Sequence, residues 1–264
     1  MLRFLTSVGL VALLSASAFA VSYSQGFEDD ADGWYDNVAL GGSGLNGIDA
    51  KSGDYYGITN KNAGDFTRWG GYSTLFPTGG YTTQLSIYLD MNGGWANGTQ
   101  FDYTSAISGP DNNHRRDFIF SVGFYNEGAM NQFSVTASNN SPGNPKDPAR
   151  DPLQLTAEGW YTFQHKFYDN AGVLAVDLSV LDASGASLET WTLSTPLDII
   201  GETVGGNRYG WFATNGFDFL AIDDARAFDN VQPTNGSVPE PVTMAGLFLG
   251  VAGLAGYVRR RRGA

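Results

Sequence analysis

Between residues 21 and 230, this 264-residue sequence predicts an all-β, antiparallel β-sandwich of jelly-roll type. Three observations carry that expectation. Glycine reaches 35 residues and aromatic side chains 14% of the chain, a balance that suits many short strands joined by glycine turns. Apolar residues alternate with period two, and no stretch of this region shows a convincing helical period. Turn sequences punctuate the alternation, so the strands run as hairpins rather than crossovers.

Taken along the chain, Leu85, Ile87 and Leu89 form the first clear inward-facing set. Residues 91 to 114 are rich in Asn, Gly and Asp and read as a long loop. Phe118, Phe120, Val122 and Phe124 then share one strand face. Residues 139 to 152 contain Pro142, Pro145, Pro148 and Pro152 and read as a second irregular loop, since proline cannot donate to a ladder. Tyr161, Phe163, His165 and Phe167 alternate next, followed by Leu174, Val176, Leu178 and Val180. Asp169-Asn170-Ala171-Gly172 and Asp182-Ala183-Ser184-Gly185 are hairpin turns, which makes residues 159 to 194 a three-stranded meander. Strands at 207 to 214 and 219 to 228 close a single domain with no internal repeat.

The charge is unevenly placed. The whole chain carries −12, yet residues 21 to 238 hold 10 basic against 26 acidic side chains, a net of −16. Such a domain lacks the basic footprint that nucleic acid requires. With no cysteine, the chain has no disulfide framework, thiolate metal site or thiol nucleophile. The positive charge lies at the two ends, each beside an apolar run. Met1-Leu2-Arg3, the apolar stretch Phe4 to Leu14, and Ala18 and Ala20 at a small-residue site predict a signal peptide over residues 1 to 20. Residues 242 to 258 are uncharged and predict one short transmembrane helix. Arg259, Arg260, Arg261 and Arg262 follow as its cytoplasmic stop signal. Residues 231 to 238 read as a flexible linker.

Pro239-Glu240-Pro241, the apolar helix and the arginine cluster, in that order over residues 239 to 264, resemble the PEP-CTERM sorting signal. The resemblance implies an exported bacterial protein delivered through the Sec and signal-peptidase machinery. It implies anchoring in the inner membrane facing the periplasm, cleavage near the triplet by an exosortase, and release to the cell surface or an exopolysaccharide matrix. Physically, the two prolines hold the backbone around Glu240 extended and accessible to a processing enzyme. Gly26-Phe27-Glu28, Gly33-Trp34 and Ile222-Asp223-Asp224 are similar to lectin-like and carbohydrate-binding jelly rolls. That likeness implies sugar binding and, in many such domains, a structural calcium joining the first and last strands.

Candidate residues follow from these readings. Glu28, Asp30, Asp223 and Asp224 would supply carboxylate oxygens to calcium if the terminal strands pair. Trp95, in the Asn- and Gly-rich loop, is the foremost sugar platform among Trp34, Trp69, Trp95, Trp160, Trp191, Trp211, Tyr55, Tyr56 and Tyr72. No catalytic residue is expected. A glycosidase needs two carboxyls about 5 to 9 Å apart, and Glu28, Glu127, Glu158, Glu189 and Glu202 form no such pair in sequence. His165 falls on an apolar strand face and His114 beside Arg115 and Arg116. The sequence therefore predicts a non-catalytic structural or adhesive envelope protein. A carbohydrate-binding lectin-like module is the alternative, and a glycoside hydrolase or lyase the remote one.

Overall fold

The computed structural model describes residues 22–230 apart from residues 63, 72, 127–129 and 207. Ala18, Ala20, Tyr72, Pro239, Glu240, Pro241, Arg259, Arg260, Arg261 and Arg262 lie outside the described residues, as does the expected helix at 242 to 258. Among the described residues, fifteen strands form two antiparallel sheets, which makes the domain an all-β sandwich. Sheet I runs β13 (Ser187–Ile199), β12 (Val173–Leu181), β11 (Gly159–Asn170), β6 (Tyr81–Leu89), β15 (Leu220–Asp229), β4 (Tyr55–Thr59) and β3 (Ala39–Gly42), with β1 (Ser22–Gln25) also on β15. Sheet II runs β10 (Leu153–Leu155), β9 (Gln132–Ser138), β8 (His114–Tyr125), β7 (Gln100–Ser108), β14 (Arg208–Asn215), β5 (Phe66–Thr67) and β2 (Trp34–Tyr35).

The period-two sets occupy the space between the sheets. Phe120 of sheet II meets Phe163 of sheet I edge-on at 5.1 Å, and Phe118 meets Phe167 at 5.5 Å. Tyr81 stacks on Phe167 at 4.5 Å. Each such pair contributes roughly 0.5–1.5 kcal/mol beyond the area it buries. His165 is fully buried in this layer, and its Nε2–H donates to the Phe118 carbonyl of the opposite sheet at 3.0 Å. Burial holds the imidazole neutral, with its pKa lowered to about 3.

The meander appears as β11, β12 and β13, with the two expected hairpin turns between them. The first and last strands pair, Ser22 opposite Phe228 through Gln25 opposite Ala225. Along the same edge of β15, β4 pairs with Leu220 to Ile222. Where those two partners meet, one extra residue on β15 forms a bulge between Asp223 and Arg226, and Asp224 takes φ +49°. The bulge swings two carboxylates out of the ladder.

One stretch departs from expectation. Residues 91 to 114 are not a single loop, because β7 crosses the middle of sheet II between β8 and β14. Phe101, Tyr103 and Ile107 do point inward, but Asp102, Thr104 and Ser105 dilute the apolar alternation. Every residue of β7 after Gln100 is buried, so its outward face is covered as well. Over Asp102 that cover is the proline-rich segment 139–152, whose Lys146 Nζ reaches Asp102 Oδ2 at 2.6 Å.

Candidate functional site

The outward face of sheet II carries a cleft of about 730 Å³ whose lining includes Phe66, Arg68, Ser108, His114, Tyr209 and Trp211. Its position follows from strand alternation. On β14, Arg208, Gly210 and Phe212 point to the core, leaving Tyr209 and Trp211 on the outer face. Their rings stack with centroids 4.7 Å apart and planes 20° from parallel. Trp211 pairs in register with Phe66, and Phe66 with Tyr35. Tyr35 and Phe66 stack in turn at 4.9 Å and 19°. Gly210 is required here for space: a Cβ on it would lie 2.8 Å from the fully buried Trp69 ring beneath.

Polar groups border the rings. The Arg68 guanidinium lies 5.5 Å from the centre of the Phe66 ring. His114 opens β8, and its ring is bonded to Asp117 Oδ1, three residues on. The Tyr209 hydroxyl is pushed up to about 12, first by burial and then by the Asp117 carboxylate, with Arg68 opposing. It therefore remains protonated at neutral pH and can both donate and accept. Flat apolar faces beside fixed donors and acceptors can hold a ring that is apolar on one face and hydroxylated at its edge.

Trp95 occupies a different position. Its indole N–H donates to the Asp90 carbonyl at 3.0 Å, and its ring meets the buried Phe217 edge-on at 5.0 Å. Gly93 lies so close to the indole that a Cβ there would fall 2.3 Å from Cε2. Half-buried, Trp95 covers the end of the core. Gly93 is required for space, because the backbone passes against the ring there. Trp34 and Trp69 are core residues, and Trp191 is buried with its N–H on the Asp151 carbonyl. Burial separates Trp211 from Trp34, Trp69 and Trp191, while Trp95, half-buried like Trp211, differs by its bond to the Asp90 carbonyl and its packing on Phe217. The one trace in sequence is Tyr-Gly-Trp-Phe, which puts aromatic residues on both faces of a single strand.

The four carboxylates expected to hold calcium do not come together. Asp223 and Asp224 meet the loop at residues 51–53, but their oxygens are occupied by donors. Asp223 Oδ2 accepts the Lys51 and Ser52 backbone N–H groups at 3.0 and 3.2 Å, and Oδ1 accepts the Asp224 N–H at 2.6 Å. Asp224 Oδ1 takes the Ser52 hydroxyl and Arg226, both at 3.1 Å. Lys51 Nζ stands 3.7 Å from Asp224 Oδ2 and donates to Ser86 Oγ at 2.6 Å and Thr162 Oγ1 at 2.8 Å. Burial lowers the Lys51 pKa and pushes Asp223 up to about 6. Glu28 instead accepts the backbone N–H groups of Asp54 at 2.9 Å and Tyr55 at 3.4 Å. It lies against Gly53, where φ is +68° and a Cβ would fall 2.1 Å from Oε1. Asp30 bonds Gln25 and the Asp32 N–H within its own turn.

Calcium needs six to eight oxygen ligands, and among the described residues no three His, Cys, Asp or Glu side chains are grouped to hold a metal ion. These residues do not fit calcium. An ammonium and backbone N–H groups supply the positive charge instead.

No family model matches this chain, and no curated protein does. Among solved structures it is similar to the basic lectin of winged bean solved with Tn-antigen, at 12% identity and a TM-score of 0.43, over 79% of this chain and 97% of that one. It is similar as well to the CBM2 module of the evolved Dit of Lactobacillus casei BL23 phage J-1, at 11% identity and a TM-score of 0.40, over 81% and 98%. A seed lectin of Lotus tetragonolobus stands at 9% identity and a TM-score of 0.39, over 79% and 97%.

Proposed function

We propose that this chain is an exported, non-catalytic carbohydrate-binding protein with an adhesive role, and that polysaccharide occupies the outer-face cleft of sheet II. The observation that carries the proposal is the stacked Tyr209–Trp211 pair beside Phe66 in that cleft, bordered by Arg68, His114 and Ser108. A pyranose lays its apolar C–H face on an aromatic ring while side chains at the rim bond its hydroxyls. The second aromatic stack, Tyr35 on Phe66, stiffens the neighbouring wall.

Affinity electrophoresis in gels containing neutral polysaccharides tests this reading. Wild-type protein is retarded, and Trp211→Ala loses that retardation while its melting temperature stays within a few degrees. Retention that Trp211→Ala leaves unchanged refutes the cleft, and depolymerisation of the polysaccharide refutes the non-catalytic assignment.

Sorting to the cell surface or exopolysaccharide matrix is the other half of the proposal. Its support is the order Pro239-Glu240-Pro241, apolar run and Arg259 to Arg262. Deleting residues 239 to 264 in an exosortase-bearing bacterium should move the protein from the membrane fraction to the soluble one without maturation. Unchanged fractionation would sink the sorting claim.

A further inference from the structure

We infer that the carbohydrate site does not end at Trp211 but continues beneath the 139–152 segment, where Asp102, Thr104, Ser121 and Ser138 form a subsite for the hydroxyls of a neutral sugar. The inference rests on the cleft reading and extends it to a stated ligand class. Strand register makes the two regions continuous. Tyr35, Phe66, Trp211, Thr104, Ile119 and Ser138 pair in turn across six strands of sheet II. With neighbouring strands about 4.8 Å apart, that row runs roughly 24 Å, long enough for an oligosaccharide. Three aromatic side chains occupy one end. Beside the other end lies a second outward row, Asp102 opposite Ser121 opposite Thr136.

Apart from Ile119 the covered end is polar, which is unusual for a buried sheet face. Asp102 is 6% exposed, Thr104 0% and Ser138 2%, yet Asp102 Oδ1, Thr104 Oγ1, Ser121 Oγ and Ser138 Oγ have no hydrogen-bond partner. Buried polar atoms in folded proteins nearly always have partners, and each orphan costs stability. Asp102, Thr104 and Ser121 are neighbours on one face, with Ser138 across Ile119 from Thr104, and together they mark a surface made to meet hydroxyl groups, which both donate and accept.

The segment above is held in part by the Lys146–Asp102 pair, whose lysine is partly exposed. Asp102 is itself buried, so the carboxylate that loses Lys146 must be met by the hydroxyls that displace the ammonium. Once Lys146 leaves, Asp102 accepts from neutral hydroxyls and repels a uronate, which assigns the subsite to uncharged sugars.

Calorimetric titration with cello-, laminari- and malto-oligosaccharides of about two to six residues tests this, because the row is longer than one sugar. For the series that binds, affinity should rise with chain length in the wild type. Thr104→Val and Ser138→Ala should each remove about three- to tenfold of that rise and leave the disaccharide unchanged. Lys146→Ala should strengthen binding of the longer chains only. Thr104→Val conserves shape and removes an unpartnered hydroxyl, so it should fold at least as well as the wild type.

A length dependence that survives both substitutions assigns these oxygens to ordered water and overturns the subsite alone. Loss of all binding in Trp211→Ala, with the length dependence still intact in Thr104→Val and Ser138→Ala, upholds the cleft and rejects its extension. Absence of binding by every oligosaccharide to the wild type overturns both.

Discussion

The buried imidazole of His165 makes the domain sensitive to acid by a calculable amount. In the unfolded chain the ring titrates near 6.5, whereas in the core it titrates at about 3 because burial disfavours its charged form. At about pH 8 neither state is protonated. At about pH 5 the unfolded chain binds a proton that the folded chain does not, which favours unfolding. The sign follows from the depressed value: the cost is absent above 6.5 and accumulates as pH falls toward 3. Linkage over those two values amounts to about 2 kcal/mol at about pH 5 relative to pH 8. Other groups titrate over the same window, so the measurement is a difference. Urea unfolding of wild type and His165→Gln at both pH values isolates the term, since glutamine keeps an N–H for the Phe118 carbonyl but does not titrate. The wild type should lose about 2 kcal/mol more than the variant on acidification. Equal losses in the two proteins would show that His165 titrates normally and would refute its placement between the sheets.

Asp223 titrates in the opposite sense. Its folded value of about 6 lies above the ordinary 3.8, so the stability it contributes is present below 3.8 and is lost as pH rises through 6. Asp223→Asn should flatten that part of the stability profile, as thermal melts across the window would show. Lys51→Met removes the ammonium between Asp224, Ser86 and Thr162 and should cost about 2 kcal/mol by chemical denaturation. Wild-type melting temperature should be the same with calcium and with chelator; a rise in calcium would overturn the internal-cation reading. Trp95→Ala should cost about 2 kcal/mol by exposing the core around Phe217, while retention on polysaccharide stays intact. Gly53→Ala should destabilise by more than 1 kcal/mol, at positive φ and against Glu28; an unaffected melt would exclude that contact.

Much of the sandwich was legible because alternation is a local property. Phe118 to Phe124, Tyr161 to Phe167 and Leu174 to Val180 each display period two within a few residues, and β8, β11 and β12 follow. His165 could be placed in the core for the same reason, since its neighbours at two-residue spacing are Phe163 and Phe167. β7 was missed because its outward face is polar yet buried. Cover by a segment some forty residues distant in sequence, Lys146 over Asp102, leaves no local trace. The acidic residues show the same limit. Composition brings Glu28, Asp30, Asp223 and Asp224 to notice, but a carboxylate accepts an N–H as readily as it binds a cation. Lys51 and the loop beside it decided which.

By itself, the sequence determined the all-β class, the inward strand faces, and the −16 balance that excludes nucleic acid. These follow from side-chain type and two-residue spacing. Tertiary structure alone decided which tryptophan packs and which borders a cleft, because Trp95 and Trp211 differ only in what other strands place around them. It also decided that the charge opposite Asp224 is an ammonium, and that three hydroxyls and a carboxylate lie covered beside the aromatic row. Long-range register sets each of these, and register is fixed only when both sheets close on one core.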